Sequence, residues 1–213
     1  PGLTVELGTD RTKKTLTSDF ARERHCDLAI NGEAGMSPFP DSGLGYWTGV
    51  LVDAGKVLQT ETKDNPRPYL SLRRDGRAKL ITQLAKERAV PADCWWAIWG
   101  RWDALLGGEV QFPDVESRQP RTAMGVDRTG TRLFLLVVDG RQNRYSIGFT
   151  AAEVGMLLRI VGAYDAMLCD EGGSSCMVVA ALGGVVNSPS DGGGRERSTY
   201  THFGLRIEGA SRR

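Results

Sequence analysis

The strongest constraint on the fold is a repeated pattern of short apolar runs separated by turns that contain glycine. Three pairs of runs flank such turns: residues 46–52 and 57–60, 69–73 and 78–81, and 122–126 and 132–138. Glycine adopts positive φ without steric cost, so each pair predicts a β-hairpin. Glycine accounts for 27 of the 213 residues, against a usual share of about 7%. The pattern therefore predicts a largely antiparallel sheet.

One helix is clearly marked among these strands. Thr150 and Glu153 stand at the spacing of a capping box, in which each side chain bonds the backbone amide of the other residue. Apolar residues recur at 154, 157, 158 and 161, which places them on one face, and Gly162 is positioned to end the helix. Further strands are predicted at 3–7, 28–30, 165–169, 176–182 and 199–207.

These elements predict the fold class and the domain organisation. The expected fold is α+β, mainly antiparallel or mixed β-sheet with few packed helices. No repeat, linker or block of charge divides the chain, so residues 1–213 are expected to form a single domain. The chain begins at Pro1 without a methionine, and we expect a signal or tag to have been removed before this numbering starts.

Composition excludes several functional classes. The longest apolar runs, 133–138 and 176–182, are far shorter than the roughly 20 residues of a membrane-spanning helix. Lysine and arginine total 27 against 26 acidic residues, so no bulk attraction to nucleic acid is expected and an anion must be bound locally. The four cysteines lack zinc-site spacing and leave open two disulfides or four thiols. The oligomeric state stays open.

Polar, glycine-containing segments follow four of the apolar runs. They are residues 31–33, 139–141, 170–175 and 187–195. Strand ends can meet at one rim of a sheet, where loops carry function on a rigid base. The segment 170–175 has more polar residues than a plain turn needs, and its two glycines let backbone amides approach a ligand oxygen. Arginines beside these segments suit a phosphate clamp, because guanidinium groups bind phosphate through two hydrogen bonds.

Two other groups of residues keep open or ordinary interpretations. Trp95, Trp96, Trp99 and Trp102 are either packing residues or a platform for stacking a sugar. The only two histidines, His25 and His202, are expected to be structural, since nothing pairs them with a nucleophile or a metal-ligand set.

Several motifs occur in an order and spacing that resemble the phosphodiester glycosidase family. They are RTAMGVD at 121–127, VVDGRQ at 137–142, the capped helix, CDEGGSS at 169–175 and VNSPSDGG at 186–193. The likeness is specific over 121–207. It is weaker before that, where it depends on AING at 29–32, VDAGK at 52–56 and AIWG at 97–100.

The resemblance implies an enzyme of carbohydrate metabolism. The expected reaction is hydrolysis of a sugar-1-phosphodiester, with N-acetylglucosamine as the type of sugar, to free sugar and a phosphomonoester. Members of the family often work outside the cytoplasm, which implies an extracytoplasmic or secreted location here as well. The expected partner is a sugar-phosphate or glycan substrate. No cofactor is expected, although a divalent cation near Asp170 and Glu171 stays open.

The same resemblance assigns roles to the polar residues. The candidates for carboxylate chemistry are Asp139, Asp170 and Asp191, with Glu171 as an additional acid. The candidates for phosphate binding are Arg121, Arg141 and Arg195. The candidates for orienting sugar or phosphoryl oxygens are Asn31, Gly172, Gly173, Ser174 and Ser175. Which aspartate is the nucleophile or base, and whether the anomer is retained or inverted, depends on a carboxylate separation that the sequence does not give.

The chain departs from the family pattern at two places. Glu33, Ala34 and Gly35 follow the asparagine–glycine pair, where the family usually has another glycine and aromatics, and Glu171 replaces the first of three glycines. Added carboxylates would repel an anionic substrate. Two alternatives therefore stay open: a sugar-phosphate or carbohydrate-binding module without turnover, and a hydrolase or transferase that acts on another glycan.

Overall fold

The computed structural model describes residues 2–10, 12–33, 48–60, 66–111, 117–191 and 193–208. The helices in this part of the chain are α1 (Thr17–Glu23) and α2 (Ala151–Ile160). The strands are β1 (Leu3–Gly8), β2 (Leu28–Asn31), β3 (Leu51–Asp53), β4 (Lys56–Gln59), β5 (Tyr69–Arg73), β6 (Ala78–Ile81), β7 (Cys94–Trp99), β8 (Trp102–Leu106), β9 (Glu109–Val110), β10 (Arg121–Val126), β11 (Leu133–Val138), β12 (Asp165–Glu171), β13 (Met177–Val179), β14 (Gly184–Val185) and β15 (His202–Ile207).

The strands form three five-stranded sheets in which every described pairing is antiparallel. Sheet I has the order β1-β15-β2-β13-β14, sheet II has β11-β10-β12-β8-β9, and sheet III has β4-β3-β7-β5-β6. With two helices beside these sheets in the described ranges, the predicted α+β class with mainly antiparallel strands is confirmed.

The three predicted hairpins are present. The β3–β4, β5–β6 and β10–β11 pairs are all antiparallel. Ala54 and Gly55 both take positive φ at the first turn, at 48° and 80°, the conformation that a tight hairpin turn requires. Residues 46 and 47 of the first predicted run lie outside the described residues.

Other elements differ from the sequence prediction. Helix α1 lies within the polar stretch 10–24, where no helix was predicted. Its N-cap residue, Leu16, makes no capping hydrogen bond with its side chain, so the usual sequence signal is missing. The strand predicted at 176–182 ends at Val179, and Ala180–Leu182 forms a 3-10 turn closed by Gly183 at φ 88°. The strand predicted at 165–169 extends to Glu171.

One apolar cluster joins the three sheets. It contains Ile30 and Phe203 of sheet I, Met124 of sheet II, and Tyr69 and Trp99 of sheet III, all fully buried. Burial of side chains of this size is the main stabilising contribution in a protein core. The shared cluster supports the predicted single domain, which stays a prediction for residues 1–213.

Helix α2 covers one face of sheet II. Both hydrogen bonds of the Thr150–Glu153 capping box are formed, and Gly162 follows the helix with φ 106°. Val154 and Leu158 are buried against the sheet. A Cβ at Gly155 would collide with the carbonyl oxygen of Ala104 in β8, so the helix approaches the strand as closely as glycine permits.

Two further properties bear on the sequence expectations. All four cysteines are buried free thiols: Cys26, Cys94, Cys169 and Cys176. Of the two alternatives, two disulfides or four thiols, the structure therefore has four thiols. Neither helix of the described ranges is long and apolar enough to cross a membrane.

The packing of α2 predicts a contrast between two helix residues. Leu158 is 1% exposed and Ile160 is 78% exposed. We expect Leu158→Ala to lower the free energy of unfolding by about 2–5 kcal/mol, since it leaves a cavity between helix and sheet. The matched control Ile160→Ala should change it by about 0.5 kcal/mol or less. Urea denaturation measures both, and equal effects would contradict this packing.

Candidate active site

A buried carboxyl group, that of Asp170, lies at the end of the central strand β12. Only 5% of the residue is exposed. Its Oδ2 accepts hydrogen bonds from Ser174 Oγ at 2.6 Å and from Asn31 Nδ2 at 3.3 Å. Burial raises the pKa of Asp170 to about 7, and the nearby negative charge of Glu33 also acts to raise it. The carboxyl group therefore changes its charge near neutral pH.

Asn31 fixes this carboxyl group by joining two sheets. The residue ends β2 of sheet I and is fully buried. Its Oδ1 accepts from Thr122 Oγ1 of sheet II at 2.7 Å and from the amide of Cys176 at 3.0 Å. Because Oδ1 accepts both of these hydrogen bonds, the side-chain amide of Asn31 has one orientation. In that orientation Nδ2 points to Asp170.

The loop Gly172–Ser175 forms the rim beside Asp170. Gly172 has φ 85°, and a Cβ there would lie 3.0 Å from Nη1 and 3.2 Å from Nη2 of Arg141. A Cβ at Gly173 would overlap the carboxylate of Asp191. The two glycines therefore let a guanidinium group and a carboxylate approach the backbone of this loop.

Asp191 and Arg197 form an ion pair against this loop. Nε and Nη2 of Arg197 donate to the two carboxylate oxygens of Asp191 at 2.7 and 2.9 Å. The hydrogen bonds that Arg197 donates to Asp191 are the main cause of its raised pKa, and the negative charges of Asp191 and Asp170 act in the same direction. Arg197 therefore lies close enough to Asp170 for the two charges to interact.

Arg141 contributes a guanidinium group with open donors. Its Nε donates to Gln119 Oε1 at 2.5 Å, while Nη1 and Nη2 lie over Gly172. The side chain is exposed, and its two terminal nitrogens donate to no residue in the described ranges. These donors are available to an anion.

Asp139 lies at the same rim but is occupied by hydrogen bonds within the protein. Its Oδ1 accepts from Asn187 Nδ2 and from the amide of Ser188, both at 2.9 Å, and its Oδ2 accepts from Tyr145 Oη at 3.1 Å. Asn187 also donates to the carbonyl oxygen of Ser175 at 3.0 Å. Asp139 therefore joins the loops that contain Tyr145 and Asn187, and Asn187 links them to the loop Gly172–Ser175.

Ser174 and Ser175 are both about 1% exposed. Ser174 donates to Asp170, whereas Oγ of Ser175 is buried with no hydrogen-bond partner among the described residues. A buried hydroxyl group without a partner is uncommon in folded proteins, and the site of a ligand is one explanation.

Two of the three arginines predicted to bind phosphate do not lie over the loop Gly172–Ser175 as Arg141 does. Arg121 is fully buried; it pairs with Glu171 and donates to the carbonyl oxygens of Phe149 and Ser117. No surface of Arg121 is open to a ligand. Arg195 is exposed, and within the described chain only its backbone amide bonds the rim, at the carbonyl oxygen of Asp191.

The structure also adds residues that the sequence did not single out. Thr122 holds the Asn31 amide, Arg197 pairs with Asp191, and the positive charge of Arg101 lies near Asp170. Thr122 and Asp170 are register partners in β10 and β12. Strand pairing over this distance leaves no local mark in a sequence. Arg197, in contrast, lies two positions after the polar segment 187–195.

The aromatic and histidine residues occupy mainly packing positions. Trp99 is fully buried, while Trp95 and Trp102 lie under the guanidinium groups of Arg74 and Arg101 at 3.6 and 4.4 Å. His202 is buried, stacks on Phe20 and bonds the hydroxyl group of Thr199. Burial lowers the pKa of His202 to about 4, so the ring is neutral at physiological pH. The structural role expected for His202 agrees with this position.

No group of three or more histidine, cysteine, aspartate and glutamate residues within the described ranges is arranged to hold a metal ion. The carboxylate of Glu171, next to Asp170, is paired with two arginines.

Fold and site together define an α+β domain with a buried carboxyl group and exposed guanidinium groups at one rim of two joined sheets. The chain belongs to the phosphodiester glycosidase family, which matches residues 24–206. The resemblance found in the motifs is confirmed.

Solved structures share the whole fold. The catalytic domain of zebrafish N-acetylglucosamine-1-phosphodiester alpha-N-acetylglucosaminidase, auto-inhibited by its pro-peptide, is similar with a TM-score of 0.74 and 20% identity, over 96% of this chain and 73% of that one. A hypothetical protein from Synechocystis gives 0.70 and 11% identity, over 96% and 57%. An inferred exported protein from Burkholderia pseudomallei K96243 gives 0.65 and 16%, over 96% and 71%. At these identities the likeness shows a common fold.

A curated relative has a closer sequence over a shorter stretch. The SPbeta prophage-derived uncharacterized protein YomE of Bacillus subtilis strain 168 is 40% identical over 81 residues. The match covers 38% of this chain and 12% of YomE, so the chain spans a small part of that protein's length.

The raised pKa of Asp170 predicts how stability depends on pH. The folded protein keeps the proton up to about pH 7, whereas the unfolded chain releases it near the ordinary value of 3.8. Titration of Asp170 therefore lowers the free energy of unfolding as pH rises from about 4 to 7, by up to roughly 4 kcal/mol. In Asp170→Asn that dependence disappears, so the variant should gain stability relative to the wild type across this range.

Urea denaturation at several pH values measures this change, and Asp127→Asn is the control. Asp127 lies in the turn between β10 and β11, and its pKa is lowered to about 2, mainly by a hydrogen bond from Thr129, so it titrates below the range. If the pH dependence of wild type and Asp170→Asn were parallel between pH 4 and 8, Asp170 would not titrate as described.

Proposed function

We propose that the protein hydrolyses a sugar-1-phosphodiester between the anomeric carbon and the bridging oxygen, releasing free sugar and a phosphomonoester. The observation that carries this proposal is the buried Asp170 carboxyl group, which Asn31 and Ser174 orient beside exposed guanidinium groups. The named activity of the zebrafish relative supports N-acetylglucosamine as the sugar. Family membership supports the reaction class.

The chemistry of the substrate explains why one carboxyl group and several arginines suffice. A phosphomonoester has a second pKa of about 6, so it leaves readily and needs less help from a general acid than an ordinary alcohol does. What the protein must supply is stabilisation of the positive charge that develops at the anomeric carbon, and activation of water. A carboxylate with a pKa near 7 is suited to accept the proton of that water.

In this proposal Asp170 acts at the anomeric carbon and the rim binds phosphate. Nη1 and Nη2 of Arg141 lie over Gly172 and are free to donate to phosphoryl oxygens. Arg197 can donate to the same phosphoryl group once it releases Asp191. Asp191 is the second carboxylate near the loop. Ser175, with its unpartnered hydroxyl group, is a further donor. Asp139 positions the loops, since its oxygens are already bonded.

The binding-module alternative depended on repulsion between added acids and an anionic substrate. At Glu171 that argument loses its basis, because the carboxylate is held between Arg101 and Arg121 and contributes no net negative charge to the rim. Measured turnover of a phosphodiester would exclude this alternative, and binding without turnover would establish it.

We also propose that the protein acts outside the cytoplasm. The support is the similarity in fold to an inferred exported protein and to the zebrafish catalytic domain. A glycan or sugar-phosphate diester in that compartment would be the substrate.

Replacement of the central carboxyl group tests the reaction. We expect Asp170→Asn to lower kcat/KM for a GlcNAc-1-phosphodiester by about 100-fold or more, because the variant cannot accept a proton. The matched control is Asp103→Asn on β8. Asp103 is also buried, and burial raises its pKa to about 6, but its carboxylate accepts from the amide of Gln83 and not from Asn31 or Ser174. The measurement is the rate of sugar release by Asp170→Asn and by Asp103→Asn. Equal activities of the two variants would contradict the role of Asp170.

The phosphate-binding role of Arg141 predicts a change in substrate affinity. We expect Arg141→Ala to raise KM about ten-fold or more, since it removes two charge-assisted donors. Arg144→Ala is the control, because Arg144 is exposed in the same loop. Steady-state kinetics on the same diester provides the measurement. A KM that is unaffected by Arg141→Ala, or raised equally by both variants, would remove Arg141 from the phosphate site.

A further inference from the structure

Arg101 is held at the site by four features of its surroundings. It lies in the turn between β7 and β8, and its amide donates to the carbonyl oxygen of Leu168 at 2.6 Å. A Cβ at the preceding Gly100 would lie 2.6 Å from that same oxygen, so the turn is packed directly on β12. The guanidinium group lies over the ring of Trp102 at 4.4 Å, and Nη1 donates to Glu171 Oε1 at 3.2 Å.

The remaining donors of Arg101 have no partner in the part of the chain that the structure describes. Only Nη1 is bonded, and about 33% of the side chain is exposed. An arginine that is stacked on one side and paired at one nitrogen presents its other N–H groups in a fixed direction. The group is close to Asp170, whose pKa its charge acts to lower.

Glu171, the departure from the family pattern, connects Arg101 to the interior. Its Oε2 pairs with the fully buried Arg121, and its Oε1 pairs with Arg101. Arg121 is itself fixed by the carbonyl oxygens of Phe149 and Ser117. The carboxylate therefore cannot follow Arg101 into solvent. Two guanidinium groups and one carboxylate leave one net positive charge, and Arg101 is the arginine of the two that solvent reaches.

We infer that Arg101 binds a phosphoryl oxygen of the substrate and that Glu171 is a positioning residue, which holds Arg101 in place through buried Arg121. This inference rests on the proposed function. Arg141 contacts residue 172 and Arg101 contacts residue 171. Residues 171 and 172 are adjacent in the chain, and the charges of Arg101 and Arg141 both act on the guanidinium group of Arg121, so both arginines lie beside the same short segment of the rim. A phosphodiester bound there receives donors from both.

The test compares Arg101→Ala, Glu171→Gln and the double variant on a GlcNAc-1-phosphodiester. We expect each single variant to raise KM roughly ten-fold while kcat stays within about three-fold, because binding of the phosphate is lost and the carboxyl group that acts on the anomeric carbon is kept. The double variant should be no worse than the more affected single one, since both remove the same interaction. An unchanged KM in Arg101→Ala overturns the inference.

Two controls separate this role from a structural one. Arg74→Ala removes a guanidinium group that stacks on Trp95 in the same way but away from the site, and it should leave KM unchanged. Arg101→Lys keeps the charge without the planar fork, and we expect it to restore part of the affinity. Arg101→Ala leaves the Arg121–Glu171 pair intact, so its result stands even if Glu171→Gln, which deprives buried Arg121 of its counter-charge, fails to fold.

A second measurement does not require turnover. The ¹⁵N relaxation of Arg101 Nε should show an ordered side chain in the wild type and a mobile one in Glu171→Gln. Equal order in wild type and variant overturns the positioning role. If the wild type cleaves no phosphodiester, the proposed function fails. The dissociation constant for GlcNAc-1-phosphate then decides the inference, which requires weaker binding by Arg101→Ala.

Discussion

The arrangement of the site depends on the buried amide of Asn31, which joins sheets I and II. Its oxygen accepts from Thr122 and from the amide of Cys176, and its nitrogen donates to Asp170. A buried polar group that loses its partner costs about 1–3 kcal/mol, so each of these bonds constrains the others. The amide therefore fixes both the distance between the two sheets and the direction of the carboxyl group.

Burial and charge act on this carboxyl group in opposite directions. Loss of solvent raises the pKa of Asp170, and Glu33 acts in the same direction, whereas Ser174 and Arg101 lower it. Desolvation is the largest of these effects, and the resulting value of about 7 leaves the group able to take up or release a proton at neutral pH. The same residues that enclose the carboxyl group therefore also set the pH at which it gains or loses its proton.

The sequence predicted the local features well because their causes are local. The hairpin at Ala54–Gly55 and the capping box at Thr150 depend on residues within a few positions of one another, so their signals are complete in a short window. Helix α1 was missed because its cap, Leu16, carries no such signal. The apolar residues Ala180–Leu182 predict a strand but form a 3-10 turn, which apolar character alone does not distinguish from a strand.

The sequence indicated which polar segments lie together but not which contacts they make. The polar segments after the strands do meet around Gly172–Ser175, as the rim hypothesis required. The pairing of Arg121 with Glu171 arises from the register of β10 on β12, across 50 positions, and therefore could not be seen in the sequence. That register places the guanidinium group of Arg121 in the interior, while Arg101, from a different turn, reaches the surface.

The state of the four cysteines has a consequence for how the chain can be produced and handled. Burial raises the pKa of every one of these thiols, to about 12 for Cys26, and none forms a disulfide. A buried thiol with a raised pKa carries almost no thiolate at neutral pH and reacts slowly with oxidants. The native fold therefore contains no disulfide between these four cysteines that a reducing environment could break.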